Sequence, residues 1–179
     1  MIKVSKPVST VPEHFSTPLQ EKVYSMLTEL GIPFLRVEND PAITMDDCEQ
    51  IDLTLKVKTV KTLFLTNRQK TAFYIFVTPG DKPFVTKSFG AALGVSRVSF
   101  APEELMTQMI GTVQGACTVY GAMLDSENAI RVVIDADVLK SEWYGCTDGT
   151  TTGYMKVKTE DILEKYIPYS GHKAEIIEL

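Results

Sequence analysis

The sequence predicts an α+β fold: a central mixed, mostly antiparallel sheet flanked by helices. Three observations carry that expectation. Short β-branched and aromatic runs crowd the middle of the chain, as strands do. Capped helical stretches sit among them without strict alternation, which argues against a doubly wound parallel sheet. The chain has 179 residues, 44% of them hydrophobic and 23% charged, enough for one ordinary core without disulfides or metal. The expected organisation is an irregular N-terminal arm over residues 1–15 and a single domain over residues 16–179.

The elements follow in order. Thr17-Pro18-Leu19-Gln20 is a helix start: Thr as N-cap, Pro at the first helical position, Gln three residues after the cap. Leu19, Val23, Met26, Leu27 and Leu30 continue at helical spacing to Gly31. Residues 32–37 read as a strand, and residues 44–47 cap a short helix ending near Leu53. Residues 58–65 and 73–78 read as a hairpin across the polar turn 66–70. Residues 86–93 form a short helix stopped by Gly94, residues 97–100 a strand, and residues 102–110 a helix with Pro at its start and two Glu in its first turn. Residues 117–124 and 130–134 read as two strands joined by a turn, with a short strand at 142–144. Residues 145–153 are expected to be a loop and 154–157 a strand. Thr159 is expected to cap a last helix reaching Ile167.

Composition excludes several function classes. Eighteen basic against 23 acidic residues give a net charge of -5, which argues against non-specific binding of duplex DNA. A local cleft for one nucleic-acid end is compatible with that charge. No apolar run is long enough for a membrane span, so no membrane is expected. The N-terminal stretch lacks the apolar segment of a signal peptide. Cys48, Cys117 and Cys146 are odd in number and widely spaced, which points to free thiols in a reducing cytoplasm. His14 and His172 are the only histidines, and no HExxH or HxE…CxxC pattern occurs, so no metal or other cofactor is expected. Neither a dinucleotide-binding nor a phosphate-binding glycine motif is present.

Three stretches have the chemistry of a site. In Val60-Lys61-Thr62-Leu63-Phe64-Leu65, alternation puts Lys61 on one face with Leu63 and Leu65. Lys61 is open to two readings: a stem packed on apolar neighbours with its head in water, or a cation at a pocket lip, placed to hold a phosphate or carboxylate. The small residues from Gly111 to Thr118 are either a plain connection or a close backbone approach to a ligand. Residues 145–153 offer hydroxyls and amides, with Asp148 as their one strong base.

These segments recur together in one order: KTLFL, then NRQKTAFYIFVTPGDKPFVTK, SRVSFAPEELMTQMIG, GACTVYGAML, VVIDADVL and MKVKTEDILEKYIP. In that order they resemble the freestanding prolyl-tRNA editing proteins of the YbaK/ProX superfamily, nearest the branch that clears alanyl-tRNA(Pro). The resemblance covers roughly residues 17–179. It implies a mixed α+β aminoacyl-tRNA editing domain with a cleft for the tRNA acceptor end. It implies hydrolysis of the aminoacyl ester of mischarged tRNA(Pro) without a metal. Lys61 matches the lysine most tied to activity in that family, acting on the terminal phosphate and ribose. Gly115, Ala116, Cys117 and Thr118 match the loop lining the amino-acid pocket. Prolyl-tRNA synthetase is the further partner the resemblance brings in.

The sequence departs from the family in one place. Where relatives read G-C-H-P-x-x-N-T, Thr147 stands for the His, Asp148 for the Pro and Thr151 for the Asn; Gly145, Cys146 and Thr152 keep the pattern. Thr147, Thr151 and Thr152 are therefore expected around the substrate, and Asp148 is expected to add negative charge where a phosphate passes. Thr neither takes up a proton near neutral pH nor offers an amide's paired donor and acceptor. A deacylase for another small amino acid, or a binding protein that has lost the chemistry, are the alternatives. His172 is expected to be structural.

Overall fold

The computed structural model describes residues 1–179. Helix α1 (Pro18–Glu29) starts as its sequence dictates, with the Thr17 hydroxyl accepting from Gln20 N–H at 3.1 Å. Strand β1 (Leu35–Glu38) follows, then a 3₁₀ turn (Asp46–Cys48) leading into α2 (Glu49–Leu55). The predicted hairpin is β2 (Val60–Asn67) and β3 (Phe73–Pro79), paired antiparallel from Val60 opposite Pro79 to Thr66 opposite Phe73. Helix α3 (Thr86–Leu93), strand β4 (Val98–Phe100) and helix α4 (Glu103–Ile110) come next. Strands β5 (Ile130–Asp135), β6 (Trp143–Thr147) and β7 (Gly153–Lys158) precede a last helical run. That run is α5 (Thr159–Asp161), a π-helical turn (Ile162–Tyr166) and α6 (Ile167–Tyr169), and strand β8 (Ala174–Ile177) closes the fold.

The strands divide between two sheets. One has three strands in the order β1-β7-β6, antiparallel throughout. The other has five, β4-β2-β3-β5-β8; β4, β2 and β3 pair antiparallel, whereas β3-β5 and β5-β8 are parallel. The main core lies between the two sheets and takes in the apolar face of α1, with Leu19, Val23, Phe64, Ile75, Val132, Tyr144 and Val157 among its members. A second cluster around Phe76 and Phe89 seats α3 on the outer face of the five-stranded sheet. A third seats α2 on β1 and β7 through Ile51, Leu55, Val37 and Tyr154. Burying these faces is what stabilises such short elements, since isolated helices of this length are marginal in water. No helix is long and apolar enough to cross a membrane.

Four expectations are corrected. Residues 117–124 are not a strand: Val119–Leu124 form a 3₁₀ helix, started by the Thr118 hydroxyl accepting from Tyr120 N–H. Strand β5 therefore has no hairpin partner before it and pairs in parallel with β3. Residues 145–147 belong to β6 and not to the loop. Thr159 does not cap the last helix, because its buried hydroxyl has no hydrogen-bond partner. In the arm, Val4 and Val8 form isolated bridges with Asn39 and Arg36.

The sheets touch where Thr59, just before β2, bridges in parallel to Gly145 of β6. Glycine is required there: a Cβ at 145 would meet Val57 Cγ1 at 2.8 Å and Lys58 O at 3.1 Å. The Asp52 carboxylate fixes the junction by accepting from the Thr59 N–H at 3.0 Å and the Thr59 hydroxyl at 2.5 Å. Beyond it, β4 covers β2 only from Leu65 to Asn67. The first half of β2 thus keeps an open edge, and the sheets diverge around it.

Candidate functional site

A cleft of about 450 Å³ opens at that divergence. Its floor is Thr59 and the start of β2, from Val60 to Phe64. One wall is Phe100 and Ala101 with Glu103 and Met106 of α4, and another is Gln114, Gly115 and Cys117. Cys146, Thr147 and Tyr154 of β6 and β7 form the back, and residues 43–45 with Cys48 close the remaining side. The lining is mostly apolar with a few polar groups, as in small-ligand sites. Lys61 and Glu103 are its only charged side chains.

Lys61, which alternation left open to two readings, lines the cleft and is half-buried. Its ammonium donates to the main-chain oxygen of Lys82 at 2.5 Å and has no carboxylate within 4 Å. Partial burial pulls its pKa below the usual lysine value, opposed by the nearby Asp81 charge. An ammonium has three donors, so donor capacity is left for an anion in the cleft.

Gly115 and Cys117 reach the cleft, and the loop that presents them is fixed from behind. Gly115 has φ +90°, and a Cβ there would lie 3.1 Å from Ile43 Cγ2 and 3.2 Å from Ile43 Cα, so no other residue fits without strain. The Thr112 hydroxyl lies 3.0 Å from both Ala116 O and Gly149 O, joining this loop to the 147–150 turn. The N–H groups of Gly115 and Cys117 have no acceptor within the chain, whereas Ala116 N–H donates to Val113 O. Ala116 and Thr118 do not line the cleft; both are fully buried supports.

Of the three threonines expected around the substrate, only Thr147 lines the cleft. Its hydroxyl is already engaged, donating to Thr150 O and accepting from Gly149 N–H at 3.1 Å. Thr151 and Thr152 lie outside the lining; their carbonyls accept from Ala42 N–H and Asn39 N–H and anchor the 39–42 segment.

Asp148 corrects the expectation of negative charge in the substrate path. Its carboxylate is turned into the protein and is 1% exposed. It accepts from Gln20 Nε2 and the Tyr24 hydroxyl, each at 2.9 Å, and from the Thr150 hydroxyl at 2.7 Å. Burial raises its pKa above the carboxylate range, opposed by those hydrogen bonds. It ties the turn to α1 and is not a base available to substrate.

All three thiols line the cleft, and burial pushes Cys48 up to about 11 and Cys117 and Cys146 up to about 12. At neutral pH they are thiols, so a thiolate nucleophile is not provided. His172 does not line the cleft and is 6% exposed, its Nε2 2.8 Å from Asp125 Oδ2. No group of three or more His, Cys, Asp or Glu residues stands close enough to hold a metal ion. Sequence reasoning did not find Ile43, Phe100 or Glu103, which the fold brings in from separate segments, whereas Gln114 falls within the Gly111–Thr118 stretch. Glu103, in the first turn of α4, was read only as a helix-start signal.

Residues 40–165 match the family model described as an aminoacyl-tRNA editing domain. A relative from Acetoanaerobium sticklandii, the prolyl-tRNA editing protein ProX, is 26% identical over 160 residues, covering 89% of this chain and 97% of its own. Two solved structures share the fold. One, described as a candidate trans-editing enzyme for prolyl tRNA synthetase, has a TM-score of 0.67 at 14% identity, covering 92% of this chain and 99% of its own. The other, a scaffold from work on epitope backbone grafting by computational design, has a TM-score of 0.66 at 15% identity, covering 91% and 98%.

Proposed function

The chain belongs to the aminoacyl-tRNA editing domain family, and from that premise we propose that it hydrolyses the aminoacyl ester of a mischarged tRNA in trans, with alanyl-tRNA(Pro) as substrate. The observation that carries this reading is one cleft holding a lysine without an acidic partner and two backbone N–H groups without acceptors. The choice of tRNA(Pro) follows the ProX relative. Prolyl-tRNA synthetase, which needs a second sieve against alanine, is the source of the mischarged tRNA in this reading.

Lys61 holds the phosphate of the terminal nucleotide and brings the ester into the cleft. Water attacks the ester carbonyl carbon. The N–H groups of Gly115 and Cys117, which have no acceptor within the chain, bind the oxyanion that develops in this reading, and the bond to the ribose oxygen then breaks. The adjacent ribose hydroxyl relays the proton from water to the leaving oxygen, so no side-chain base is needed. Positioning and fixed donors supply the acceleration. Glu103, the one carboxylate of the cleft, recognises the α-ammonium of the aminoacyl group. Ile43, whose backbone packs against Gly115, limits the side-chain space, and a size sieve of this kind is worth about 1–3 kcal/mol per methylene.

A second reading, binding without hydrolysis, is favoured by Thr147, whose hydroxyl is spent inside its turn. Hydrolysis assays on a panel of mischarged tRNAs decide between them. Clearance of alanyl-tRNA(Pro) supports editing, clearance of another ester moves the specificity, and tRNA binding with no clearance supports the second reading.

A further inference from the structure

Trp143, the chain's one tryptophan, stands at the start of β6 and is 37% exposed. Two ammonium groups hang over its ring, Lys156 Nζ at 4.8 Å and Lys158 Nζ at 5.9 Å from the centroid. Register explains the grouping: Trp143 pairs with Lys158, Gly145 with Lys156, and Thr147 with Tyr154. Alternation puts these six residues on one face of the sheet. Lys158 also borders a polar hollow that it shares with Glu142, Glu160 and Glu164. Neither Lys156 nor Lys158 has a carboxylate within 4 Å. Lys58, 84% exposed at its side chain, rises beside the same face, its carbonyl lying over Gly145.

An exposed indole flanked by unpaired cations matches a single-stranded nucleic acid: the ring stacks a base and the ammonium groups neutralise the phosphates on either side. Past Gly145, which residues 57–59 cover, the same sheet face ends in the cleft at Thr147 and Tyr154. Trp143 and Thr147 are four residues apart along β6, about 13 Å. That span suits the unpaired 3′ end of a tRNA whose last nucleotide enters the cleft. We infer that Trp143, Lys156 and Lys158 form a stacking platform for the unpaired nucleotides preceding the terminal adenosine of the bound tRNA. This rests on the editing reading above, and it places the nucleic acid on the β6-β7 face of the molecule.

The test uses the full chain with two uncharged tRNA(Pro) transcripts, one carrying its CCA end and one stopping before it. Because Trp143 is the sole tryptophan, its fluorescence reports on this site alone. The CCA-bearing transcript is expected to quench it and the truncated one is not. Trp143→Ala weakens binding of the CCA-bearing transcript roughly 5- to 150-fold, the worth of one stacked base. Trp143→Phe retains most of the affinity, which separates stacking from lost packing. The Lys156→Ala/Lys158→Ala double variant lowers the slope of log affinity against log salt by about 1.4, two charges at about 0.7 each. Binding and deacylation with unchanged tryptophan emission and an unchanged salt slope overturn the inference and leave editing intact. Equal quenching by both transcripts, or quenching by anionic lipid vesicles in place of tRNA, also overturns it. Failure of every tRNA to bind defeats the editing reading and this inference together.

Discussion

The Lys61 ammonium lies 2.5 Å from the main-chain oxygen of Lys82, whose own ammonium lies 2.9 Å from both Asp135 and Asp137. The lysine at the lip of the cleft is thus aimed by a turn pinned to the end of β5. Asp135 is fully buried and also accepts from the Thr78 hydroxyl and Asp137 N–H, each at 2.9 Å. Asp135→Ala removes the shared acceptor and leaves these donors unpaired. The expected loss is about 1–3 kcal/mol in urea unfolding, the cost of unsatisfied buried donors, since Lys82 keeps Asp137 as a partner. Deacylation is expected to fall further than the loss of folded protein accounts for, because the Lys82 carbonyl moves.

Gly115→Ala forces a side chain into a left-handed conformation against Ile43. A stability loss of about 1–3 kcal/mol is expected from backbone strain alone. The loop also shifts to relieve the contact, so kcat is expected to drop for the alanyl ester. Thermal unfolding and single-turnover kinetics on the same preparation measure the two effects.

Asp148 has a pH signature whose sign follows from burial. Its carboxyl titrates above the ordinary range in the folded protein. The native state therefore keeps a proton that the unfolded chain releases from about pH 4. The stability contributed by this group falls as pH rises from there through the raised pKa, then levels off. Urea titrations across that window are expected to show the fall in the parent and its absence in Asp148→Asn. A constant difference between the two proteins at every pH would contradict the assignment.

Much of this architecture was legible where local chemistry decides. The Thr17 cap, the polar turn between β2 and β3 and the proline at the start of α4 each named their element. The apolar run from Val119 to Leu124 did not, because a short apolar run fits a buried strand and a buried helical turn equally. The Thr118 cap settles it in favour of the turn. Strand β8 escaped notice because four residues pairing in parallel with β5 leave no local pattern. The site divides the same way. Alternation and small residues left Lys61 and the Gly115 loop open, and the family resemblance singled them out; of that loop Gly115 and Cys117 line the cleft. Glu103 and Phe100 became visible only when α4 and β4 packed beside β2. Asp148 was misplaced because its partners Gln20 and Tyr24 lie more than 120 residues away in sequence.

Glu103 as the α-ammonium contact makes a separable prediction. Glu103→Gln is expected to raise KM for alanyl-tRNA(Pro) while leaving kcat within a few-fold. N-acetylalanyl-tRNA(Pro), which lacks the positive charge, is expected to bind the two proteins alike. Steady-state kinetics with both esters check this, and equal losses on both would remove Glu103 from substrate recognition.

The central claim is that Lys61 serves ester hydrolysis in this cleft, and the most direct measurement is clearance of alanyl-tRNA(Pro) by the purified protein. It is run beside Lys61→Ala and with prolyl-tRNA(Pro) as the second substrate. The account predicts rapid loss of the alanyl ester, a drop of at least about 100-fold in the variant with its unfolding transition unchanged, and a spared prolyl ester. Alanyl ester that persists with folded protein, or that disappears equally fast with Lys61→Ala, would contradict it.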